Sequence, residues 1–201
     1  MSHIIIMRFL EKEPDLKMIG FDELCYSIDV LIINICKCVE IYIVALILGT
    51  FMNTLVMHIS YALLRWSAGG WHARKSLNCS LFGIITFSVF PFITQSLDIH
   101  ISIFEILLFL TIVFVLIYCY APSDTEKNPL VDSSERKKAH WKSILTTLLI
   151  ALSASFFNTT TQFFIVSGIL VESVLVTPLF YKLMKVRYNN YEEYAEIKQQ
   201  K

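Results

Sequence analysis

The chain has 201 residues, 55% of them hydrophobic and 17% charged, and its 17 Lys and Arg balance 17 Asp and Glu. A mean hydropathy of +0.59 and a charged share below the roughly 25% of soluble domains exclude an ordinary soluble protein, which would expose large apolar patches. The composition reads as an integral membrane protein, and no nucleic-acid partner is expected.

Residues 1–22 mix Ile4, Ile5, Ile6, Phe9, Leu10 and Leu16 with Arg8, Glu11, Lys12, Glu13 and Asp15, and Pro14 breaks the run. This pattern suits an amphipathic segment lying on a membrane surface, not a secretory signal. From Cys25 to Leu64 the sequence is mostly apolar, and its charges, Asp29, Lys37 and Glu40, fall in the first half. Forty residues exceed the roughly 20 that cross a bilayer, so two helices with a bend near Gly49 are expected. Five cysteines without framework spacing (Cys25, Cys36, Cys38, Cys79 and Cys119) argue against a disulfide scaffold. No metal or other cofactor is expected; Cys36 and Cys38 read as small apolar residues.

A polar stretch, residues 65–80 (RWSAGGWHARKSLNCS), interrupts the apolar sequence. Beyond it, Leu81 to Leu97 is apolar with a kink expected at Pro91, and Ile101 to Tyr120 is the cleanest span. Residues 121–142 read as a polar loop with the basic run Arg136, Lys137 and Lys138. Ser143 to Phe157 is a short span, Asn158 to Gln162 a turn, Phe163 to Phe180 the last span, and 182–201 a polar tail. The expected fold is a single all-α, polytopic membrane domain, with about six hydrophobic helices after the amphipathic segment. Segments 65–76, 121–142 and 182–201 carry 3, 5 and 5 Lys or Arg, and the turns between them carry none. The positive-inside rule therefore places all three on the cytoplasmic side.

The polar stretch brings together His72 and Cys79, the base and nucleophile that acyl transfer through sulfur requires. Seven residues apart on one regular helix, they would lie about 10.5 Å from each other along the axis, too far for proton transfer. Gly69-Gly70 permits a turn before His72. Asn78 as N-cap would place Cys79 in the first turn of the next helix, where the helix N-terminus, Arg74 and Lys75 favour a thiolate. On residue type alone the pair can equally be an interfacial histidine and an inert packing cysteine. A small transporter or membrane scaffold is the rival class, although no internal repeat supports it. Glu105 and Glu172 stand in apolar runs where a carboxylate is costly. Each can orient His72, pair with a cation across helices, lie near a helix end or face a neighbouring subunit.

Arg65, Gly-Gly-Trp-His-Ala at 69–73 and Cys79 seven residues after His72 together resemble the accessory gene regulator B (AgrB) family of quorum-sensing peptide processors. A second match lies at Tyr120 to Leu130 (YAPSDTEKNPL), followed by the basic run 136–138. It is similar to the family's Tyr-Ala-Pro loop, Lys-Pro and basic cluster, with Asn128 where a Lys is common. The resemblance spans nearly the whole chain. It implies a cysteine endopeptidase of the bacterial cytoplasmic membrane that cuts an AgrD-like precursor peptide near its C-terminus. Cys79 would be the nucleophile and His72 the general base, and Arg65 and Gly70 match positions needed for activity. An acyl-enzyme thioester would then yield a thiolactone or lactone ring. Arg65, Arg74, Lys75, Arg136, Lys137 and Lys138 would meet the precursor's acidic part. The family also implies a homodimer surrounded by lipid, although no residue here requires one.

Overall fold

The computed structural model describes residues 21–71, 76–99, 101–125 and 129–192, and for residues 21–27, 29, 30 and 76 it describes the backbone alone. These residues form seven helices and no strand. They are α1 (Phe21–Ile47), α2 (Phe51–Ala68), α3, α4 (Ile103–Tyr120), α5 (Ser133–Ala154), α6 (Thr159–Leu175) and α7 (Pro178–Leu183). The rod α3 has three parts: Ser76–Ile84, a π turn Ile85–Val89, and Phe90–Ser96. The expected surface segment 1–22 lies outside the described residues except for its last two, which open α1.

The bend near Gly49 is present. Gly49 adopts φ +70, its N–H meets Leu46 O at 3.2 Å, and the Thr50 N–H reaches back to Ala45 O at 2.9 Å. Glycine is favoured at such a left-handed helix end. Pro91 acts through a carbonyl. Having no N–H, it cannot donate to Phe87 O one turn earlier. The Thr54 hydroxyl of α2 donates to that oxygen instead, while the Phe90 N–H reaches Ile85 O to close the π turn. A proline inside an apolar helix is thus accommodated by a neighbouring helix.

Three expected boundaries move. The basic run 136–138, expected in a loop over 121–142, is helical. Asp132 accepts the Ser134 N–H at 2.8 Å and starts α5 at Ser133, and Glu135 to Lys138 are good helix formers. Asn158 does not open a turn but caps α6, accepting the Thr161 N–H at 2.9 Å. That helix stops at Leu175 instead of reaching Phe180, because Thr177 and Pro178 open the separate α7.

Among the described residues, two helical segments, Leu77–Ser96 and Ile103–Tyr120, are long and apolar enough to cross a membrane, and Thr159–Leu175 is a shorter apolar helix. This corrects the expectation of about six hydrophobic helices. The remaining long helices are diluted by polar residues: α2 carries Asn53, Thr54, His58, Ser60 and Arg65, and α5 gathers its cations in its first half. Much of this polarity turns inward. The Ser60 hydroxyl is 2.9 Å from both Met57 O and Ile165 O, and Ser88 donates to Ile41 O at 2.9 Å. Such small polar side chains tie helices together where water is absent.

The centre of the bundle is α6. Phe163 to Ile169 are all buried, so this helix is covered on every side. Against it α2 packs so closely that a Cβ on Gly168 would collide with Ser60 and Met57. One apolar cluster joins α2, α4, α5 and α6 through Leu64, Val113, Ile117, Ile150 and Ile169; a second joins α1 and α3 through Ile41, Met57, Phe87 and Phe164. The outer faces remain apolar and exposed, with Ile35 and Val39 on α1, Leu81 and Ile85 on α3, Phe104, Leu108 and Val115 on α4, and Leu145 and Leu149 on α5. That arrangement suits hydrocarbon on the outside.

Candidate active site

The polar stretch is broken where the chemistry needs it broken. Helix α2 ends at Ala68, Gly69 and Gly70 take φ +71 and +117, Trp71 is non-helical, and the next described residues, from Ser76, are helical. No continuous helix connects Gly70 with Cys79. Asn78 is not the N-cap, because Ser76 and Leu77 before it are already helical; Cys79 follows it in α3.

The glycine turn is stitched into the fold by backbone. The Gly70 N–H donates to Ser123 O at 3.0 Å, the Ser123 N–H to Ala68 O at 2.9 Å, and the Trp71 N–H to Leu175 O at 3.1 Å. These bonds gather the α2–α3 connection, the Ala121–Asp124 loop with its cis Ala121–Pro122 bond, and the end of α6 at one end of the bundle. The third cation-rich segment joins them there. Tyr181 donates to Asp124 O at 2.8 Å, and the buried Asp124 carboxylate accepts the N–H groups of Asn190 and Tyr191, both at 2.8 Å. Burial pushes the Tyr181 phenol up to about 12, so it remains a donor at ordinary pH.

Cys79 is half-buried and packs on a small cluster of Trp71, Leu175 and Tyr181, together with Phe82, Phe180 and Tyr61. The Trp71 and Phe180 rings meet edge-on at 5.4 Å between centroids. The candidate nucleophile therefore packs on the cluster that contains Trp71, the residue preceding His72 in sequence, in an apolar surround. His72, Arg74 and Lys75 lie outside the described residues.

The other candidates divide. Arg65 uses both terminal nitrogens internally: Nη1 donates to Glu172 Oε2 at 3.1 Å and Nη2 to Trp71 O at 2.8 Å. A Cβ on Gly70 would come within 3.0 Å of Glu172 Oε1 and 3.3 Å of Arg65 Nη1. Arg136 donates to Leu130 O at 2.9 Å and stacks 3.9 Å over the Tyr191 ring, whereas Lys137 and Lys138 are exposed. Glu105 closes a capping box with Ser102 at the start of α4, so of the two carboxylates in apolar runs Glu172 is the one at this end of the fold. A cavity of about 240 Å³ opens at the other end, between Asn53, Gln95, Asp98 and Thr159, and none of the candidate residues lines it.

Comparison with known proteins gives the family. The model of the accessory gene regulator B family matches residues 4–177. The chain belongs to the accessory gene regulator B family. It is 36% identical over 180 residues to an AgrB-like protein of Listeria innocua, covering 87% of this chain and 85% of that one. It is 34% identical over a stretch of the same length to an AgrB-like protein of Listeria monocytogenes. With the accessory gene regulator protein B of Staphylococcus aureus it shares 32% identity over 174 residues, 86% of this chain and 91% of the relative. No solved structure matches. Membership ties this AgrB family chain to accessory gene regulator quorum-sensing signalling, and its two long apolar helices fit a membrane protein.

The sequence singled out Glu172 without its partner, and it gave no individual role to Trp71, Ser123 and Asp124, which lie inside the two motifs, or to Tyr181. For Glu172 the signal was present, a lone carboxylate in an apolar run. The other four carry no such mark, because they act through backbone groups of segments distant in sequence.

Proposed function

We propose that this AgrB family member is a membrane cysteine endopeptidase that cuts an AgrD-like precursor peptide and promotes its cyclisation. The observation that carries the reading is Cys79 near the described start of α3, packed on the apolar cluster of Trp71, Leu175 and Tyr181 just beyond the glycine turn that ends α2. The Cys79 thiolate attacks the scissile carbonyl. The C–N bond breaks, His72 passes the thiol proton to the departing amine, and the C-terminal piece leaves behind an acyl-enzyme thioester. A Cys or Ser within the bound precursor then attacks the thioester carbonyl, closing a thiolactone or lactone and returning the Cys79 thiol.

Thioester exchange is nearly balanced, whereas hydrolysis runs strongly downhill, so the second step requires proximity and exclusion of water. The aromatic surround of Cys79 supports that demand. Arg74, Lys75, Lys137 and Lys138 are proposed to attract the acidic part of the precursor, and Arg65, Gly70 and Arg136 to hold the surface it meets. The site faces the cytoplasm in the bacterial membrane, by the positive-inside rule. A homodimer is carried over from the family resemblance alone.

Incubating the purified protein in lipid with a candidate precursor, followed by intact mass, tests the reading. The native chain is expected to gain a covalent adduct, Cys79→Ala none, and His72→Ala the same adduct more slowly. Cleavage that survives Cys79→Ala would overturn the assignment, and unimpaired signalling in that variant would favour a transporter or scaffold.

A further inference from the structure

The Cys79 and His72 chemistry gives no part to Glu172, a fully buried carboxylate three residues before the end of α6. A buried ion pair is seldom the most stabilising choice for a helix interior, since an apolar pair of similar volume often does as well. What Glu172 does with its charge is visible in its contacts. Oε2 accepts from Arg65 Nη1 at 3.1 Å, and the other branch of that guanidinium, Nη2, donates to the Trp71 carbonyl at 2.8 Å. The Trp71 N–H donates to Leu175 O at 3.1 Å. The last turn of α6 thus grips Trp71 twice, directly at its N–H through Leu175 and indirectly at its C=O through Glu172 and Arg65. Oε1 has no hydrogen-bond partner among the described residues and lies under Gly70, where a Cβ would stand 3.0 Å away. Trp71 also belongs to the small apolar cluster, with Leu175 and Tyr181, against which Cys79 packs.

We propose that Glu172 is a positioning residue for the Cys79 reaction. It aims the Arg65 guanidinium at the Trp71 carbonyl and so fixes the Gly70–Trp71 turn beside the nucleophile. The planar fork of Arg65 is what permits this, because one branch is anchored by the carboxylate while the other holds a backbone oxygen. The proposal rests on the reading of Cys79 as nucleophile.

The test uses the full-length chain in phosphatidylglycerol–phosphatidylcholine vesicles, with Cys25, Cys36, Cys38 and Cys119 replaced by Ser. Iodoacetamide is the probe, and the rate of Cys79 alkylation at pH 7 is followed by mass, together with hydrogen exchange at residues 69–71. In the unsubstituted site, Cys79 is expected to react faster than in the same chain unfolded in dodecyl sulfate, and His72→Ala is expected to remove that advantage. Glu172→Gln is expected to slow alkylation about tenfold and to speed exchange at Gly70 and Trp71 by a similar factor, the size of one lost charge-assisted bond. Glu172→Asp, which keeps the charge, is expected to recover most of both. Should Glu172→Gln fail to fold, the doubly neutral Arg65→Gln/Glu172→Gln chain, which leaves no lone buried charge, is expected to show the same two losses. A folded neutral variant that reacts and exchanges as the parent does would overturn the role of Glu172 alone. A Cys79 no faster than in the unfolded chain and indifferent to His72→Ala would overturn the nucleophile reading, and this proposal with it.

Discussion

Gly70 connects backbone freedom to side-chain chemistry in a single position. Its φ of +117 excludes an ordinary side chain, and the space a Cβ would enter is held by the Arg65–Glu172 pair. Gly70→Ala is expected to cost about 1–3 kcal/mol of stability, read as a lower melting temperature in detergent, together with loss of precursor cleavage. Tyr181 presents a different dependence. Its folded value near 12 lies above the ordinary 10.0, so the stability contributed by the neutral phenol is whole below about pH 10 and disappears as pH climbs toward 12. Tyr181→Phe is expected to melt lower than the parent at pH 7 and to lose less on going to pH 11. At this scale much was legible in the chain. The paired glycines declared their turn by residue type, and His72 and Cys79 stood out as candidates by type and spacing. Asp124 did not, because a carboxylate that accepts backbone N–H groups from residues 190 and 191 looks in sequence like any loop acid.

At the scale of the element, α3 shows how a helix tolerates proline by borrowing a donor. Thr54→Val is expected to leave Phe87 O unpaired and to cost about 1–3 kcal/mol, whereas Thr54→Ser retains the hydroxyl and most of the stability; thermal melts of the two variants separate the effects. The docked segment after α7 depends on Asp124 in the same way. Asp124→Asn is expected to make the chain beyond Tyr188 cleavable by limited proteolysis while the bundle survives. Helices were legible wherever apolar length dominated, as in α4, and the Gly49 break was readable because glycine punctuates. The starts of α5 and α6 were misplaced because Asp132 and Asn158 act equally well as turn residues and as caps, and only the bond to Ser134 or Thr161 decides between them.

For the whole molecule, the three cation-rich segments were grouped from charge alone, and the backbone bonds among Gly70, Ser123 and Leu175 gather two of them at one end. That end is rimmed by the exposed Trp66 and Trp141, with Lys142 5.8 Å from the Trp66 ring centre, as suits a membrane–water boundary. In intact cells, a membrane-impermeant maleimide is expected to label a single cysteine placed at Asp98 and to spare one at Glu135; the reverse pattern would invert the orientation. The number of strongly apolar spans was overestimated, because helices that face one another can hide hydroxyls and charges that a helix facing lipid cannot.

The central position of α6 bears on the order in which the molecule is made. Helices α2, α4 and α5, synthesised before it, wait for the surface that will cover them, and Arg65 waits for a carboxylate 107 residues later in the chain. A nascent chain that has reached α4 holds a guanidinium, the Ser60 hydroxyl and the Gly69–Gly70 turn without the α6 groups that receive them. The candidate active site is therefore among the last features to be completed during biogenesis, and a ribosome halted before residue 172 leaves helices without the candidate site.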